Sequence, residues 1–186
     1  MVGGIDYPFE LLTERLAIRS PAVEHAAPLH RAIVESIESL RPWMRWADHV
    51  PTPAELEENC ARAAEAFRNG TDYRLHTFLR DSGLLAGGAS LHRFDWSVPR
   101  FEIGYWLRDS ARGRGYVTEA VGAIAAFAFD ELGAQRVEIH ASSINERSCR
   151  VPERLGFTLE GVLRSYARHC DGTLEDTRVY AKIREG

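Results

Sequence analysis

Residues 107–120, with the sequence LRDSARGRGYVTEA, decide the fold because they join a strand-like run to a long apolar helix. Two glycines, Gly113 and Gly115, and two arginines, Arg112 and Arg114, precede the start of that helix. The unpaired backbone N–H groups and the dipole at a helix N-terminus attract an anion. Glycines let the backbone approach phosphate oxygens closely, and arginines can neutralise their charge. The stretch therefore predicts a phosphate-binding loop.

Two nucleotide-binding motifs are excluded by the letters themselves. A Walker loop needs GxxxxGK[ST], a string that the chain lacks. The dinucleotide fingerprint needs a third glycine, but Val117 and Thr118 follow Gly113-x-Gly115, and the loop does not open a βαβ unit. A glycine-rich turn without a ligand stays the alternative, because GxG alone is a weak signal. In the phosphate-binding interpretation, Thr118 caps the helix or donates its hydroxyl.

Outward from this stretch, the sequence alternates between strand-like and helical periods. Strands are predicted at 16–19, 73–80, 84–94, 100–107, 137–140, 157–167 and 175–183, and helices from after Pro21 to about residue 36 and at 54–68, 117–132 and 146–155. The three middle strands form an antiparallel meander. The helix at 117–132 is apolar almost all round, which predicts that it is buried. The order predicts a mixed α/β fold, a sheet flanked by helices.

Length and composition fit one globular domain over residues 1–186, with 45% apolar and 27% charged residues. The longest apolar stretch is too short and too often interrupted to cross a bilayer, so no membrane partner is expected. The N-terminus lacks a basic region followed by an apolar run, so we expect no secretory signal and a cytoplasmic location. The oligomeric state stays open, with a homodimer as one alternative.

Charge and ligand-type residues exclude several other classes. A formal net charge of −4 disfavours nucleic acid as the main partner, because that partner requires a dense basic face. The 3 scattered cysteines contain no CxxC, which predicts free thiols rather than a disulfide framework or a zinc site. The 7 histidines form no HExxH or comparable ligand pair, so no metal is expected.

Residues 112–117, RGRGYV, resemble the pyrophosphate loop of the GCN5-related N-acetyltransferase (GNAT) superfamily, which reads Gln/Arg-x-x-Gly-x-Gly/Ala. Arg112 and Gly115 match, whereas Val117 stands where glycine or alanine is usual. The longer string GYVTEA at 115–120 is similar to the branch of ribosomal-protein alanine and serine N-terminal acetyltransferases. The resemblance implies acetyl-CoA as co-substrate. The implied pyrophosphate contacts come from Arg112, Gly113, Arg114, Gly115, Tyr116, Val117 and Thr118.

Three further stretches resemble the same branch. Residues 145–157, NERSCRVPERLGF, are similar to its Asn-x-x-Ser motif ending in Leu-Gly-Phe. LRPW at 40–43 and EIGYWL at 102–107 are similar to an early segment and to the central strand. The matches cover nearly the whole chain in the order of the family. The resemblance implies a single acetyltransferase-like domain with a mostly antiparallel central sheet flanked by helices.

Asn145 and Ser148 are three residues apart at a predicted helix start, so both can face one ligand. N-capping is the alternative role. In the resembling branch, the serine contacts the CoA sulfur and is proposed to supply a proton to the departing thiolate. An unperturbed serine is a very weak acid, so a hydrogen bond or a water relay to sulfur is the more reasonable form. Ser148 is therefore predicted to be catalytic.

Glu102 is the first candidate for the catalytic base, because the superfamily often places a glutamate on this strand with water carrying the proton. A structural carboxylate paired to an arginine is the alternative. Elsewhere in the branch a glutamate after Leu-Gly-Phe serves as base, but Ala167 aligns there. His140 is a further titratable candidate. A protein α-amine with a pKa of about 7.7–8.0 is already partly neutral, so the base needs only modest strength.

The resemblance also assigns the backbone N–H groups of Tyr105, Trp106 and Leu107, which polarise the thioester carbonyl where the central strand of the superfamily bulges. Trp43 and Trp46 lie in an irregular segment that walls the acceptor side in the superfamily. Burial as core anchors is the alternative for these two tryptophans.

The charge of the acceptor is indicated only weakly. Glu55, Glu57 and Glu58 follow the tryptophan segment and favour a cationic substrate, although the same residues are also typical of a solvated helix face.

These features predict direct transfer of an acetyl group from acetyl-CoA to a primary amine. No GxSxG elbow is present and Cys149 has no obvious base partner in the sequence, which disfavours a covalent acyl-enzyme. The N-terminal α-amine of a protein, such as a ribosomal protein, is the acceptor that the resemblance suggests. A small-molecule amine acetyltransferase and a non-catalytic acyl-CoA-binding module are the alternatives.

Overall fold

The structure, a computed structural model, describes residues 5–184. Residues 1–4 and 185–186 lie outside the described part. The prediction that the N-terminus carries no secretory signal falls partly on residues 1–4. The strands are β1 (Glu10–Leu12), β2 (Leu16–Arg19), β3 (Tyr73–Leu79), β4 (Leu85–Asp95), β5 (Arg100–Leu107), β6 (Arg136–Ser142), β7 (Thr158–Arg168) and β8 (Leu174–Ile183). The helices are α1 (Ala26–Leu40), α2 (Pro53–Arg68), α3 (Tyr116–Asp130) and α4 (Glu146–Arg154).

The eight strands form a single sheet in the order β1-β2-β3-β4-β5-β6-β8-β7. Neighbouring strands are antiparallel except β5 and β6, which are parallel. These two pair only from Arg100 to Glu102 on β5, opposite Arg136 to Glu138 on β6. Beyond Glu102 the remaining residues of β5 have no register partner on β6. The sheet therefore opens between its two central strands.

Helices cover the sheet and bury two apolar clusters. Ile103 of β5 and Val121 of α3 belong to the larger cluster. Ile33 of α1, Leu56 of α2 and Phe78 of β3 belong to the smaller one. Because side chains alternate along a strand, β3 and β4 contribute to both clusters, with Leu91 of β4 in the larger one and Leu85 in the smaller one.

The predicted class, a mostly antiparallel sheet flanked by helices, is confirmed. The helix α3 was predicted to be buried because it is apolar almost all round, but it is buried mainly on one side, which includes Ala120, Ile124 and Ala128.

Two elements depart from the sequence-based prediction. α1 runs to Leu40, about one turn beyond its predicted end near Ser36. Ser36 does not end the helix because it is fully buried and its hydroxyl accepts a hydrogen bond from the Asp109 N–H at 2.9 Å. β1 was not predicted, since its three residues are too few to show an alternating pattern.

A buried ion pair fixes α1 to the segment that follows β5. The Arg108 side chain is only 8% exposed and its guanidinium bonds to the Glu35 carboxylate and, at 3.0 Å, to the Leu85 carbonyl. The other Glu35 oxygen accepts from the Ser110 N–H at 2.8 Å. Glu35 thereby holds the chain that leads from β5 into the glycine loop.

Glu35→Gln is expected to destabilise the protein by about 1–2 kcal/mol at pH 7, because Arg108 loses its charged partner in a largely buried position while Glu35 is 31% exposed and partly screened. The hydrogen bond from Arg108 lowers the pKa of Glu35 from 4.5 to about 2. A lowered pKa stabilises the folded state above the unfolded pKa, so the difference from wild type should shrink as the pH falls from about 4.5 towards 2. Urea denaturation across this pH range measures it.

Glu38→Gln is the matched control, because Glu38 lies on the same helix and pairs with Arg41 while 80% exposed. Its loss should change the free energy of unfolding by less than about 0.5 kcal/mol. A Glu35→Gln effect that is as small as this, or that is independent of pH, would contradict the assigned role of the ion pair.

Candidate active site

The opening between β5 and β6 leads into a cavity of about 830 Å³. Its walls come from the end of β5 (residues 105–107), the loop and first turn of α3 (112–118), α4 with its cap (145–154) and the end of α1 with the segment after it (39–44). Backbone N–H and C=O groups must be satisfied by some partner. The free edge of β5 therefore offers main-chain hydrogen bonds to whatever fills the cavity.

The glycine loop ends in an exposed helix N-terminus that points to an anion site. Gly113 and Gly115 have φ of 75° and 78°, a left-handed conformation that L side chains rarely adopt, and Gly115 is the N-cap of α3. No side chain caps this helix, and its first internal bond runs from the Glu119 N–H to the Gly115 carbonyl. The preceding N–H groups are thus free for a ligand. Thr118 Oγ1 is buried and lacks a hydrogen-bond partner within residues 5–184.

The two arginines of the loop differ in their contacts. The Arg112 guanidinium donates to Ser39 Oγ at 2.8 Å and pairs with Asp109 at 2.9 Å, so it fastens the loop to the end of α1. Arg114 contributes its carbonyl, which accepts from Arg15 at 3.0 Å. The Arg112 guanidinium is therefore already paired within the protein, whereas the Arg114 side chain has no hydrogen bond or ion pair to any other group among residues 5–184.

Arg15 is a residue that sequence reasoning missed. It pairs with Glu119 at 2.6 Å, and its guanidinium carbon lies 4.8 Å from the centre of the Tyr116 ring. Arg15 thereby braces the first turn of α3 from β2. Its position, 104 residues from Glu119 in the chain, gave no sequence signal.

Asn145 and Ser148 lie at the start of α4 and both line the cavity. Asn145 Oδ1 accepts a hydrogen bond from the Ser148 N–H at 3.1 Å, so the capping role that the sequence left open is observed for Asn145. Ser148 Oγ lies 3.1 Å from the hydroxyl of Tyr105, which reaches across from β5. The helix start is thus fastened to the unpaired end of the central strand.

The bulge expected at Tyr105, Trp106 and Leu107 is wrong. These residues pair with β4 in continuous register, and the irregularity between the two strands lies at the other end, near His92 and Asp95. Gly87 and Gly88 face Trp106 closely enough that a side chain at either position would clash, so glycine permits the regular pairing. Divergence from β6, rather than a bulge, leaves main-chain groups of β5 free.

Glu102 lies in a chain of imidazole and carboxylate groups across β4, β5 and β6. The carboxylate is 3.2 Å from His92, 3.4 Å from Arg93 and 3.7 Å from His140, and its side chain is 13% exposed. Burial alone would raise the pKa of Glu102, but the hydrogen bond from His92 and the positive charges of His140, His92 and Arg93 lower it overall. Glu102 is therefore a carboxylate at neutral pH, and it is not among the residues that line the cavity.

Residues 15–158 match the family described as the acetyltransferase (GNAT) domain. This chain belongs to that family. The resemblance predicted from its motifs is confirmed, and the protein is an enzyme of the N-acetyltransferase class.

Relatives of this acetyltransferase support the branch as well as the family. It is 32% identical to the "Putative ribosomal N-acetyltransferase YdaF" of Bacillus subtilis, over 93% of each chain. It is 26% identical to the ribosomal-protein-serine acetyltransferase of Escherichia coli, over 92% of this chain and 94% of the relative. The similarity therefore extends over nearly the full length of both relatives and points to the ribosomal-protein branch.

Solved structures share the fold of the acetyltransferase. The microcin C7 self-immunity acetyltransferase MccE, in complex with acetyl-CoA and AMP, is 25% identical, with a TM-score of 0.85 over 92% of this chain and 94% of MccE. RimL, the ribosomal L7/L12 α-N-protein acetyltransferase in complex with coenzyme A, is 23% identical, with a TM-score of 0.83 over 93% and 96% of the two chains. The second likeness bears on the fold alone.

The two tryptophans of the acetyltransferase, Trp43 and Trp46, are 38% and 44% exposed, which contradicts the alternative that they are core anchors. Trp43 lines the cavity and meets His169 edge-on, with 5.8 Å between ring centres. Trp46 packs edge-on against Trp106 at 5.6 Å, one layer behind the cavity wall. The tip of the β7–β8 hairpin, which carries His169, thus closes on the tryptophan segment.

The other acidic residues considered for the acetyltransferase have partners within the protein. Glu55 completes a capping box with Thr52 at the start of α2, and Glu58 pairs with Arg62 on an exposed face. Ala167, where the branch has a glutamate, is paired directly with Glu175 of β8. Glu175 accepts a hydrogen bond from Ser142 Oγ at 2.5 Å. This carboxylate was missed because only strand pairing brings it opposite Ala167.

All three cysteines are free, as predicted, and Cys149 Sγ donates to the Ser142 carbonyl at 3.5 Å. Within residues 5–184, no group of three or more His, Cys, Asp or Glu side chains is arranged to hold a metal ion. The same residues include no helix that is long and apolar enough to cross a membrane.

Proposed function

We propose that this N-acetyltransferase uses acetyl-CoA as its donor and transfers the acetyl group directly to a primary amine, with no covalent acyl-enzyme. The observation that carries the proposal is the cavity between the diverging strands β5 and β6, with an uncapped, glycine-preceded N-terminus of α3 on its wall. The Cys149 thiol is buried and donates to the Ser142 carbonyl, which argues for direct transfer.

The donor site fits a pyrophosphate followed by a peptide-like arm. The free N–H groups at the start of α3 and the buried Thr118 hydroxyl can bind phosphate oxygens. The unpaired edge of β5 can bind the amides of a pantetheine arm as an extended strand would. Such an arm, lying from Thr118 along Leu107 to Tyr105, ends near Ser148.

For the transfer step, the protein has to position the two substrates and stabilise the charges that develop on them. The amine nitrogen bonds to the thioester carbonyl carbon, the carbon–sulfur bond breaks, and the proton that the amine loses balances the departing thiolate. Free N–H groups of β5 can stabilise the negative charge that develops on the carbonyl oxygen. Ser148 supports the sulfur as a hydrogen-bond donor, since its hydroxyl lies on the cavity wall.

Glu102 acts in proton removal as a fixed anion rather than as a strong base. Its lowered pKa keeps it ionised at neutral pH, and His92 and His140 flank it within 3.7 Å. An amine that is already partly neutral needs only a group that orders water and accepts charge. A carboxylate held between two imidazoles fits that role, with water carrying the proton from the cavity.

The acceptor is an N-terminal α-amine of a protein, such as a ribosomal protein. The relatives in Bacillus subtilis and Escherichia coli with ribosomal names support this choice. Exposed Trp43 on the cavity wall and exposed Trp46 beside it offer apolar surface to a peptide chain. Glu55 is occupied in the capping box of α2, so it is one carboxylate fewer in favour of a cationic substrate.

A small-molecule amine is the second candidate. The structural neighbour MccE was solved with acetyl-CoA and AMP, at 25% identity. One assay decides between the two candidates: acetyl-CoA is supplied with a panel of peptides that begin with serine or alanine, with N-terminally blocked copies, and with small amines. Transfer to free N-termini alone supports the proposal, transfer to small amines alone supports the alternative, and no transfer to any acceptor would overturn both.

Gly115→Asp should weaken CoA binding by more than about tenfold, because it adds a negative charge and a side chain where pyrophosphate approaches. Isothermal titration calorimetry measures the affinity. Gly133→Asp is the matched control, since Gly133 follows the other end of α3 and has a similar φ of 67°. The control carries comparable backbone strain but should bind CoA normally. Equal affinity of both folded variants would remove the phosphate site from α3.

Glu102→Gln should lower kcat/KM by about tenfold or more by removing the anion that orders the proton path. The pKa of Glu102 is lowered from its ordinary value of 4.5. If protonation of Glu102 causes the loss of activity at low pH, that loss must therefore occur below pH 4.5 in the wild type. Rate profiles from pH 4 to 9 test this. An acid limb near neutral pH that persists in the variant would assign it to a histidine, and a larger loss in Glu175→Gln would move the carboxylate role to β8.

Trp43→Ala should raise KM for the amine by about fivefold or more and leave KM for acetyl-CoA nearly unchanged, because the ring forms wall on the acceptor side. Trp46→Ala should act in the same direction with a smaller effect, since Trp46 supports Trp106 rather than lining the cavity. Steady-state kinetics with each substrate varied in turn measure both constants. Equal increases in both, with Trp43→Phe no better than alanine, would refute the assignment.

A further inference from the structure

α4 contains a proline at a position where a regular helix requires a donor. Pro152 lies inside the helix, four residues after Ser148. A residue in this place normally donates its N–H to the carbonyl four positions earlier, but proline has no N–H and its ring crowds that carbonyl. The Ser148 carbonyl therefore lacks its regular helical partner.

A side chain from the central strand takes the vacant place. The Tyr105 hydroxyl donates to the Ser148 carbonyl at 2.9 Å and lies 3.1 Å from Ser148 Oγ. Buried polar groups that lack a partner are costly, so the bond across from β5 replaces the one that Pro152 removes. Tyr105 therefore touches both the main chain and the side chain of the same serine.

The hydroxyl of Tyr105 remains a donor throughout the working pH range. Burial raises the pKa of Tyr105, with the hydrogen bond to Ser148 acting in the opposite direction. Since the single tyrosine proton points to the carbonyl, the contact between the two hydroxyls is made by the Ser148 proton. The Ser148 hydroxyl lies next to the cavity, and because a hydroxyl rotates easily, its proton can turn towards a ligand atom.

We infer that Pro152 and Tyr105 act together as positioning residues for Ser148: the proline frees the serine carbonyl, and the tyrosine holds it so that the serine hydroxyl faces the departing sulfur. This role rests on the proposed function of Ser148. The two residues come from different elements, so the arrangement also fixes α4 against β5 at the place where the sheet opens.

The test is a set of variants assayed for acetyl transfer, with kcat and KM for acetyl-CoA measured separately. Tyr105→Phe should lower kcat by about threefold to tenfold and Ser148→Ala by about tenfold or more, with KM for acetyl-CoA changed less than about twofold. Pro152→Ala should lower kcat by a smaller factor, because it restores a helical donor and lets the carbonyl return to the helix. Alanine is a better helix former than proline, so this variant should fold.

Double variants show whether Tyr105 and Pro152 act on kcat through Ser148 or only stabilise the fold. When Ser148→Ala is already present, Tyr105→Phe should lower kcat no further. When Tyr105→Phe is already present, Pro152→Ala should lower kcat no further. Tyr180→Phe is the matched control, because Tyr180 also anchors α4 through a buried tyrosine, but at Glu153, 2.9 Å from its hydroxyl. Its kcat should equal that of wild type.

Three results would overturn the inference while wild type remains active: an unchanged kcat in Tyr105→Phe, losses that multiply in the double variants, or an equal loss in Tyr180→Phe. An unchanged kcat in Ser148→Ala would remove the role of the serine and the inference with it. The proposed function fails in a different way, namely when wild type itself transfers no acetyl group to any acceptor of the panel.

Discussion

The divergence of β5 from β6 is the constraint on which the rest of the site depends. Parallel neighbours in a sheet normally pair along their length, yet these two strands share register over only three residues before they separate. The main-chain groups that are freed in this way are strongly polar and cannot stay without partners. The molecule thereby builds a cleft lined by backbone at the centre of its own sheet, and the surrounding helices serve to shape it.

Side-chain ion pairs and hydrogen bonds, rather than main-chain hydrogen bonds, fix α1 to the segment that follows β5. Arg108 and Glu35 hold the chain after β5 to α1, and Arg112 repeats the connection through Ser39. Each of these arginines is occupied by the protein itself. The peptide dipoles at the start of α3 are consequently held in place, so the anion of the proposed function would bind with little reorganisation.

Local signals in the sequence were sufficient for most elements and for the identity of the loop. α3 and α4 are marked by long or capped helical patterns, and Gly113 and Gly115 mark a turn that only left-handed backbone can make. Motif resemblance then supplied the family. These are features encoded by neighbours in the chain, and the structure agrees with them.

The features that could not be read from the sequence all depend on pairing between distant segments. Arg15 reaches Glu119 only because β2 lies beside the start of α3, and Glu175 is opposite Ala167 only through the hairpin register. The expected bulge in β5 failed for the same reason, because the glycines that permit regular pairing are on β4. Pro152 could be identified in the sequence, but its effect depends on its contact with Tyr105, which is distant in the chain.

The tryptophan segment and the hairpin tip differ in construction from the glycine loop. Trp43 meets His169, and Arg45 meets the Arg168 carbonyl at 3.4 Å, so this wall consists of two connecting loops that touch each other. Loops accept substitution and insertion more readily than the elements they join. Related chains can therefore exchange this wall for another while the half built from β5 and the start of α3 is inherited unchanged. Diversification of the scaffold is then a matter of remodelling two loops, and a protein engineer could follow the same route.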